Sequence, residues 1–275
     1  MNNIDVVISG GSMDGICGAT GFLKAITEDL RMNIVSAAGA SAGGIILGAY
    51  AAGHSASEIE EIILKTKFSD FIRIPKWYNI ISILSAIKNQ YISDGTKLYD
   101  AFNKIVYGKT FSEIRIDLHI AGTDITRKYV RDFNRATDPN MPVALAMQIT
   151  CTIPGCFKPV KYDGVTWYDG SIRSHYPVEL VPNSERPFYG FLASHAESIE
   201  TPMRSMNGIY GFIMTLIDNT LDMNVRYSTN LSKRQPITVK YDYSQNRGWR
   251  VSRSERAKLI ELARVATLRR ILDNQ

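Results

Sequence analysis

Apolar and polar positions along the chain follow two rhythms. Ile4 to Ser9 is a β-branched run that stops at Gly10-Gly11, the pattern of a buried strand feeding a glycine loop. Gly15 to Leu30 changes to a helical period, with Ile16, Leu23, Ile26 and Leu30 on one face. Asn33 to Ala38 is strand-like again. Gly39-Ala40-Ser41-Ala42-Gly43 then turns the chain, and Gly44 to Ala52 predicts a helix packed closely through small side chains. Ser57 opens a further helix, because Ser-Glu-Ile-Glu leads into an apolar run and can cap it.

Downstream, Pro75 to Ile92 combines Trp77, Tyr78 and an Ile/Leu stripe with flanking lysines, and Ile116 to Thr123 is a strand. Pro142 to Thr152 is helical and is stopped by Ile153-Pro154. Val160 to Asp169 predicts a hairpin turning at Tyr162-Asp163-Gly164. Met203 to Val225 is a long apolar helix and Arg253 to Leu272 a basic one. Strands alternating with helices imply an α/β sandwich around a mostly parallel sheet. No internal repeat or Pro/Gly-rich linker divides the chain. A single domain over 1–275 is expected, with 200–275 a helical, basic extension of it.

Composition narrows the class. A hydrophobic content of 45% with 21% charged residues is that of a globular chain with a sizeable core. The net charge is +5, and the segment from Gln245 to Gln275 carries eight Lys/Arg against three acids, which matches the whole excess. Such an end suits an anionic lipid or nucleic-acid surface, or a plain solvated helix face; no nucleic-acid partner is expected. Cys17, Cys151 and Cys156 are odd in number and lack metal-ligand spacing. They argue for a reducing compartment, with neither a disulfide scaffold nor a metal site. The first residues enter a strand without a basic leader, so no signal peptide is expected. Met32 to Ser57 holds no Asp, Glu, Lys or Arg, but its glycines break it into strand, turn and helix rather than a membrane span. Together these place the chain in the cytoplasm, with peripheral membrane contact compatible.

Three places carry candidate chemistry. Gly39-x-Ser41-x-Gly43 is a nucleophile-elbow pattern in the required strand-to-helix context, with the serine hydroxyl at a helix N-terminus where developing negative charge is favoured. Gly10-Gly11-Ser12-Met13-Asp14-Gly15 is a glycine loop whose backbone N–H groups suit an oxyanion. It lacks the Lys-Ser/Thr ending of a nucleotide-binding P-loop. Asp169-Gly170 offers a carboxylate base. His175 and His195 follow it in the order of a Ser–Asp–His triad, whereas His54 and His119 have no catalytic context.

The glycine loop, the Gly-Ala-Ser-Ala-Gly elbow about thirty residues on and the later Asp169-Gly170 together resemble the patatin-like phospholipase family. The segment from Thr150 to Pro159 is similar to that family's Ala-Ser-x-Ala-x-Pro-x-x-Phe-x-Pro block, and Ala121-Gly122-Thr123-Asp124 to a comparable strand end. The likeness runs over about residues 4 to 180. It implies a three-layer sandwich and a lipid acyl hydrolase working through a Ser–Asp dyad and an acyl-enzyme. Ser41 would be the nucleophile, Asp169 the base, and the N–H groups of Gly10, Gly11 and Ser12 the oxyanion hole. The implied partner is a phospholipid or other acyl ester, and no cofactor or metal is implied.

The chain departs from the family where Ser12 replaces a third glycine, Asp14 a basic residue and Ser171 the second glycine of Asp-Gly-Gly. Two other readings accompany the first: an esterase or acyltransferase with a triad through His175 or His195, and a catalytically silent lipid-binding protein. An aspartate base at neutral pH gains from burial, for which Trp167 and Tyr168 offer an apolar wall. Asp163 is assigned to the hairpin turn. Pro75 to Ile92 suits an interfacial helix, and Met203 to Val225 an acyl pocket, unless both are plain core.

Overall fold

A computed structural model of the protein describes residues 2–71, 91–194, 234–242 and 251–273. Of the Pro75 to Ile92 expectation only Tyr91 and Ile92 are described, and they lie in a strand rather than a helix; the expectations for Met203 to Val225 and His195 lie outside the described residues. In chain order the strands are β1 (Asn3–Ile8), β2 (Asn33–Gly39), β3 (Tyr91–Ser93), β4 (Asp117–Asp124) and β5 (Tyr129–Phe133). They continue with β6 (Gly155–Phe157), β7 (Val160–Tyr162), β8 (Val165–Asp169), β9 (Phe188–Ser194) and β10 (Ile237–Asp242). The helices are α1 (Ser12–Lys24), α2 (Ala42–Ala52), α3 (Ala56–Lys65), α4 (Thr96–Ile105), α5 (Val143–Thr150) and α6 (Arg253–Leu272).

The main sheet has the order β10-β9-β1-β2-β4-β8-β7, with β5 also on β4. β10, β9, β1, β2 and β4 run parallel. From β4 onward the pairings are antiparallel. The sheet is therefore mixed, which corrects the expectation of a mostly parallel one. One of these pairings, β7 with β8, follows from a local turn. Asp163 and Gly164 both take positive φ, 52° and 71°, as a tight hairpin between β7 and β8 requires. β3 and β6 form a separate parallel pair.

Strand alternation divides the core. Ile4, Val6 and Ile8 point to one face of the sheet and pack in a large cluster with side chains of all six helices among the described residues, while Val7 points to the other. There it meets Ala38, Tyr176, Val178, Phe188 and Leu192. Among the described residues this second face is covered by chain around the short turn Val178–Leu180 rather than by a helix. The three-layer expectation is thus met in part.

Most local expectations match their elements, with two refinements. The predicted helix from Gly15 to Leu30 starts earlier, at Ser12, and closes in a π-turn over Ala25–Asp29. The cap of α3 is Ser55, not Ser57: Ser55 and Glu58 form the reciprocal capping box. Ser57 instead gives its N–H and hydroxyl to Glu28, both at 2.7 Å. The basic helix α6 packs on α1 so closely that a Cβ on Gly21 would stand 2.1 Å from the Ile260 carbonyl. Arg264 clasps Asp29 with two bonds of 2.7 and 2.8 Å, so part of the terminal basic charge is used internally.

Candidate active site

β2 delivers the chain to the elbow and α2 takes it away within two residues. Ser41, between them, has φ 49° and ψ −118°, a strained conformation for a residue with a Cβ. The flanking glycines are dictated by close approach. A Cβ on Gly43 would lie 2.2 Å from the Ile8 carbonyl oxygen, and one on Gly39 2.7 Å from the Gly44 nitrogen. The Gly43 N–H donates to the Ser9 carbonyl at 3.1 Å, tying the elbow to the end of β1.

Asp169 is the last residue of β8, opposite Gly122 of β4. The glycine after it is also obligatory, because a Cβ on Gly170 would stand 2.3 Å from the Ala121 carbonyl oxygen. The turn that follows lets the Asp169 carboxylate accept the Ser171 N–H at 2.8 Å. The Ser41 hydroxyl also acts on this carboxylate as a hydrogen-bond donor and steadies its charged form.

Burial pushes the Asp169 carboxyl up from 3.8 to about 7, against the lowering effect of the Ser171 N–H and the Ser41 hydroxyl. The buried Cys151 thiol is one close neighbour and is itself pushed up, by burial first and then by the Asp169 charge. Of the expected apolar wall, Trp167 shares the Asp169 face of β8 and is buried edge-on against Phe133, 5.2 Å between ring centres. Tyr168 alternates to the other face and is half-buried.

One segment links the two residues. The Ser41 N–H donates to Thr150 Oγ1 at 2.9 Å, at the end of α5. Two residues on, the Thr152 carbonyl accepts the Asp169 N–H at 3.0 Å. Between them, Cys151 Sγ approaches the Ser41 carbonyl at 3.9 Å. Sequence reasoning met this segment only as a block similar to the family's and assigned it no contact. Its side chains are ordinary, and nothing in them announces which backbone groups they hold.

The glycine loop adjoins the elbow: a Cβ on Gly15 would stand 3.3 Å from that of Ala42. Its three expected oxyanion donors differ. The Gly10 N–H is donated to the His175 carbonyl at 3.0 Å, so it anchors the loop. Gly11, at φ 145°, and Ser12, at φ 52°, present N–H groups that meet no acceptor among the described residues. The Ala42 N–H at the start of α2 is in the same condition and was not foreseen.

The three described histidines are dispersed. His175 lies against Gly10, whose Cβ position is 2.9 Å from its Nδ1, and no imidazole is among the groups acting on Asp169. His54 bonds the Ile105 carbonyl at 2.8 Å. His119 sits between Asp132 and Asp117, at 2.7 and 3.3 Å, and those carboxylates raise it to about 9 against the opposing effect of burial. Asp163 occupies the hairpin turn as expected, 3.6 Å from Arg131. Among the described residues no cluster of His, Cys, Asp and Glu suits a metal ion, and no helix is long and apolar enough to cross a membrane.

Residues 6–182 match the family described as patatin-like phospholipase. The chain belongs to that family. Among curated relatives, an uncharacterised protein of Acanthamoeba polyphaga mimivirus is 25% identical over 77% of this chain and 74% of its own length. The uncharacterised YqhO of Bacillus subtilis is 24% identical over 96% of both chains. A probable lipid hydrolase of invertebrate iridescent virus 6 is 25% identical over 64% of this chain and 62% of its own. Among solved structures, VipD from Legionella pneumophila superposes with a TM-score of 0.57 at 16% identity, over 99% of this chain and 67% of VipD. ExoU of Pseudomonas aeruginosa gives 0.54 at 14% identity, over 99% of this chain and 53% of ExoU. These two likenesses are of fold.

Proposed function

We propose that this patatin-like protein is a lipid acyl hydrolase that cleaves fatty-acyl esters with Ser41 as nucleophile and Asp169 as general base. The observation that carries the reading is a strained serine at a helix N-terminus whose hydroxyl reaches a buried carboxylate raised to about 7. An aspartate so raised is poised to take a proton near neutral pH. In the first half-reaction Ser41 Oγ attacks the ester carbonyl and its proton passes to Asp169. The carbonyl oxygen becomes an oxyanion facing the N–H groups of Gly11 and Ser12, with that of Ala42 also open. Collapse breaks the bond to the alcohol, which leaves with the proton from Asp169, and the acyl group stays on Ser41. Water then attacks the acyl-enzyme, giving its proton to Asp169, and the fatty acid departs as the proton returns to Ser41.

Family membership and the probable lipid hydrolase among the relatives support a lipid ester as substrate. A triad relayed by His175 has less support, because its ring lies against Gly10 while Asp169 engages Ser41 directly. A fluorophosphonate probe tests the reading. It should attach to the Ser41 peptide in the wild type and leave Ser41→Ala unlabelled, while the wild type releases fatty acid from phospholipid vesicles or a fluorogenic acyl ester. Neither labelling nor release in folded wild type would overturn it.

A further inference from the structure

Ser171 is a hydroxyl where the family carries glycine, and the turn that holds it is firmly fixed. The Gly170 carbonyl accepts the N–H groups of Arg173 and Ser174 at 3.2 and 2.9 Å and the Thr123 hydroxyl at 3.3 Å. The short turn Gly170–Ile172 that results folds Ser171 back toward Asp169, whose carboxylate accepts its N–H at 2.8 Å. Asp169 and Ser171 are only 4% and 5% exposed, so what passes between them is not diluted by water.

The glycine loop closes the other side of this side chain. A Cβ on Gly10 would stand 2.5 Å from Ser171 Oγ and 2.9 Å from His175 Nδ1, so the glycine at 10 is what leaves the hydroxyl its room. Among the described residues Oγ is shut off from solvent and completes no hydrogen bond of full geometry. A buried hydroxyl in that condition is unfavourable, and it can turn toward a partner that needs it. Asp169 is such a partner: the Ser171 hydroxyl favours its charged form, as the N–H of the same residue does. The Cys151 thiol also faces this carboxylate, and burial keeps it neutral. Among the described residues no cation acts on Asp169, so hydrogen bonds alone oppose the effect of its burial.

We infer that Ser171 is a positioning residue for the base, its hydroxyl donating to the Asp169 carboxylate while that group is ionised and releasing it when the Ser41 proton arrives. The Ser171 proton stays on its own oxygen throughout, and only the Ser41 proton moves to Asp169. The inference rests on the Ser41–Asp169 reading above. It gives the departure from glycine at this position a chemical consequence: more of the buried base is ionised near neutral pH than a glycine would allow.

The test removes the hydroxyl and keeps the N–H. Ser171→Gly and Ser171→Ala both do so, and the backbone at this residue lies outside the left-handed region and admits either. In both variants the midpoint of the acid limb of kcat/KM on a soluble ester should move up by about half to one pH unit, the net worth of one hydrogen bond. At about pH 6 each variant should then retain roughly three- to tenfold less of its own plateau rate than wild type does. A lower rate with an unmoved midpoint would reveal a merely structural role and overturn the inference. A second arm needs no turnover. In protein isotopically labelled at aspartate carboxyls, the Asp169 NMR signal, assigned by its loss in Asp169→Asn, should titrate higher by the same amount in Ser171→Ala. Equal titration midpoints would also overturn it. An inactive wild type whose Asp169 still titrates higher without the Ser171 hydroxyl would remove the hydrolase reading and leave the pairing standing.

Discussion

Thr150 Oγ1 accepts the backbone N–H of Ser41 at 2.9 Å, across more than a hundred residues of chain. That bond fixes the peptide on which the nucleophile stands and satisfies a group that the positive φ of Ser41 would otherwise leave unpaired. Thr150→Val keeps the shape and removes the acceptor. Its expected result is a kcat lowered about ten- to a hundredfold, matching the ~1–3 kcal/mol of an unmet buried donor. KM should change little, and Thr150→Ser should restore most of the rate. A kcat equal to wild type in the valine variant would show that the elbow holds itself.

The pH profile follows from the Asp169 carboxyl near 7. Only its ionised form accepts the Ser41 proton, so kcat/KM should rise tenfold per pH unit below about 7 and level off above it. The measurement is the rate on a soluble ester whose own hydrolysis is subtracted at each pH. A plateau already established at pH 5 would mean that the acting base titrates like an ordinary carboxylate.

Asp169 also links pH to stability, and the sign is opposite to that of a salt-bridged aspartate. Its folded value is raised above 3.8, so the folded protein holds a proton that the unfolded chain releases. The contribution is fully present below about 4 and is lost as pH rises through about 7. Asp169→Asn removes this cost along with the base. Activity should fall by about a thousandfold or more, as expected when a nucleophile loses its base. At pH 8 the variant's melting temperature should exceed that of wild type, since each pKa unit is worth about 1.4 kcal/mol. At pH 4 the two should nearly coincide. Thermal melts at both pH values decide it.

Legibility in the sequence followed the range of the forces involved. Strands β1 and β2, the elbow and α6 were readable because their patterns are local: β-branched runs, glycines at forced close approaches, a helical period. The tight turns that carry Ser41 and Asp169 were readable because the glycines beside them have no room for a side chain, as Gly43 against Ile8 and Gly170 against Ala121 show. What escaped was set by distant partners. The Gly10 N–H looked like an oxyanion donor until the His175 carbonyl came to occupy it. The antiparallel half of the sheet depends on β8 returning to β4, which alternation within β8 does not encode. Ser57 had the composition of a cap, but Ser55 met Glu58 first and left Ser57 for Glu28.

Gly170 offers a sharp packing test. Its Cβ position lies 2.3 Å from a backbone oxygen of β4, which cannot move without opening the sheet. Gly170→Ala should destabilise the protein by about 3 kcal/mol, the upper part of the range for overpacking. Gly53→Ala is the control for adding a methyl group in open space: nothing lies within 4 Å of that Cβ, although φ is 125° and some strain remains. Denaturant midpoints should fall clearly further for Gly170→Ala. Equal losses would mean that the collision at Gly170 is relieved by local movement of the chain.

Ser12 poses the last question, because it stands at φ 52° where the family carries glycine. A left-handed conformation costs a residue with a Cβ roughly 1–2 kcal/mol, partly offset by the greater chain entropy that glycine loses on folding. If only the N–H of this position serves the oxyanion, Ser12→Gly keeps the donor and relieves the strain. The expected outcome is activity within a few-fold of wild type with a melting temperature that is equal or higher. Were the side-chain hydroxyl itself to donate to the oxyanion, the same substitution would lower kcat by about 10²–10³, the usual loss for one oxyanion donor. Measuring kcat and the melting temperature on the same preparation separates the two roles, since backbone relief and a lost donor move them in opposite directions.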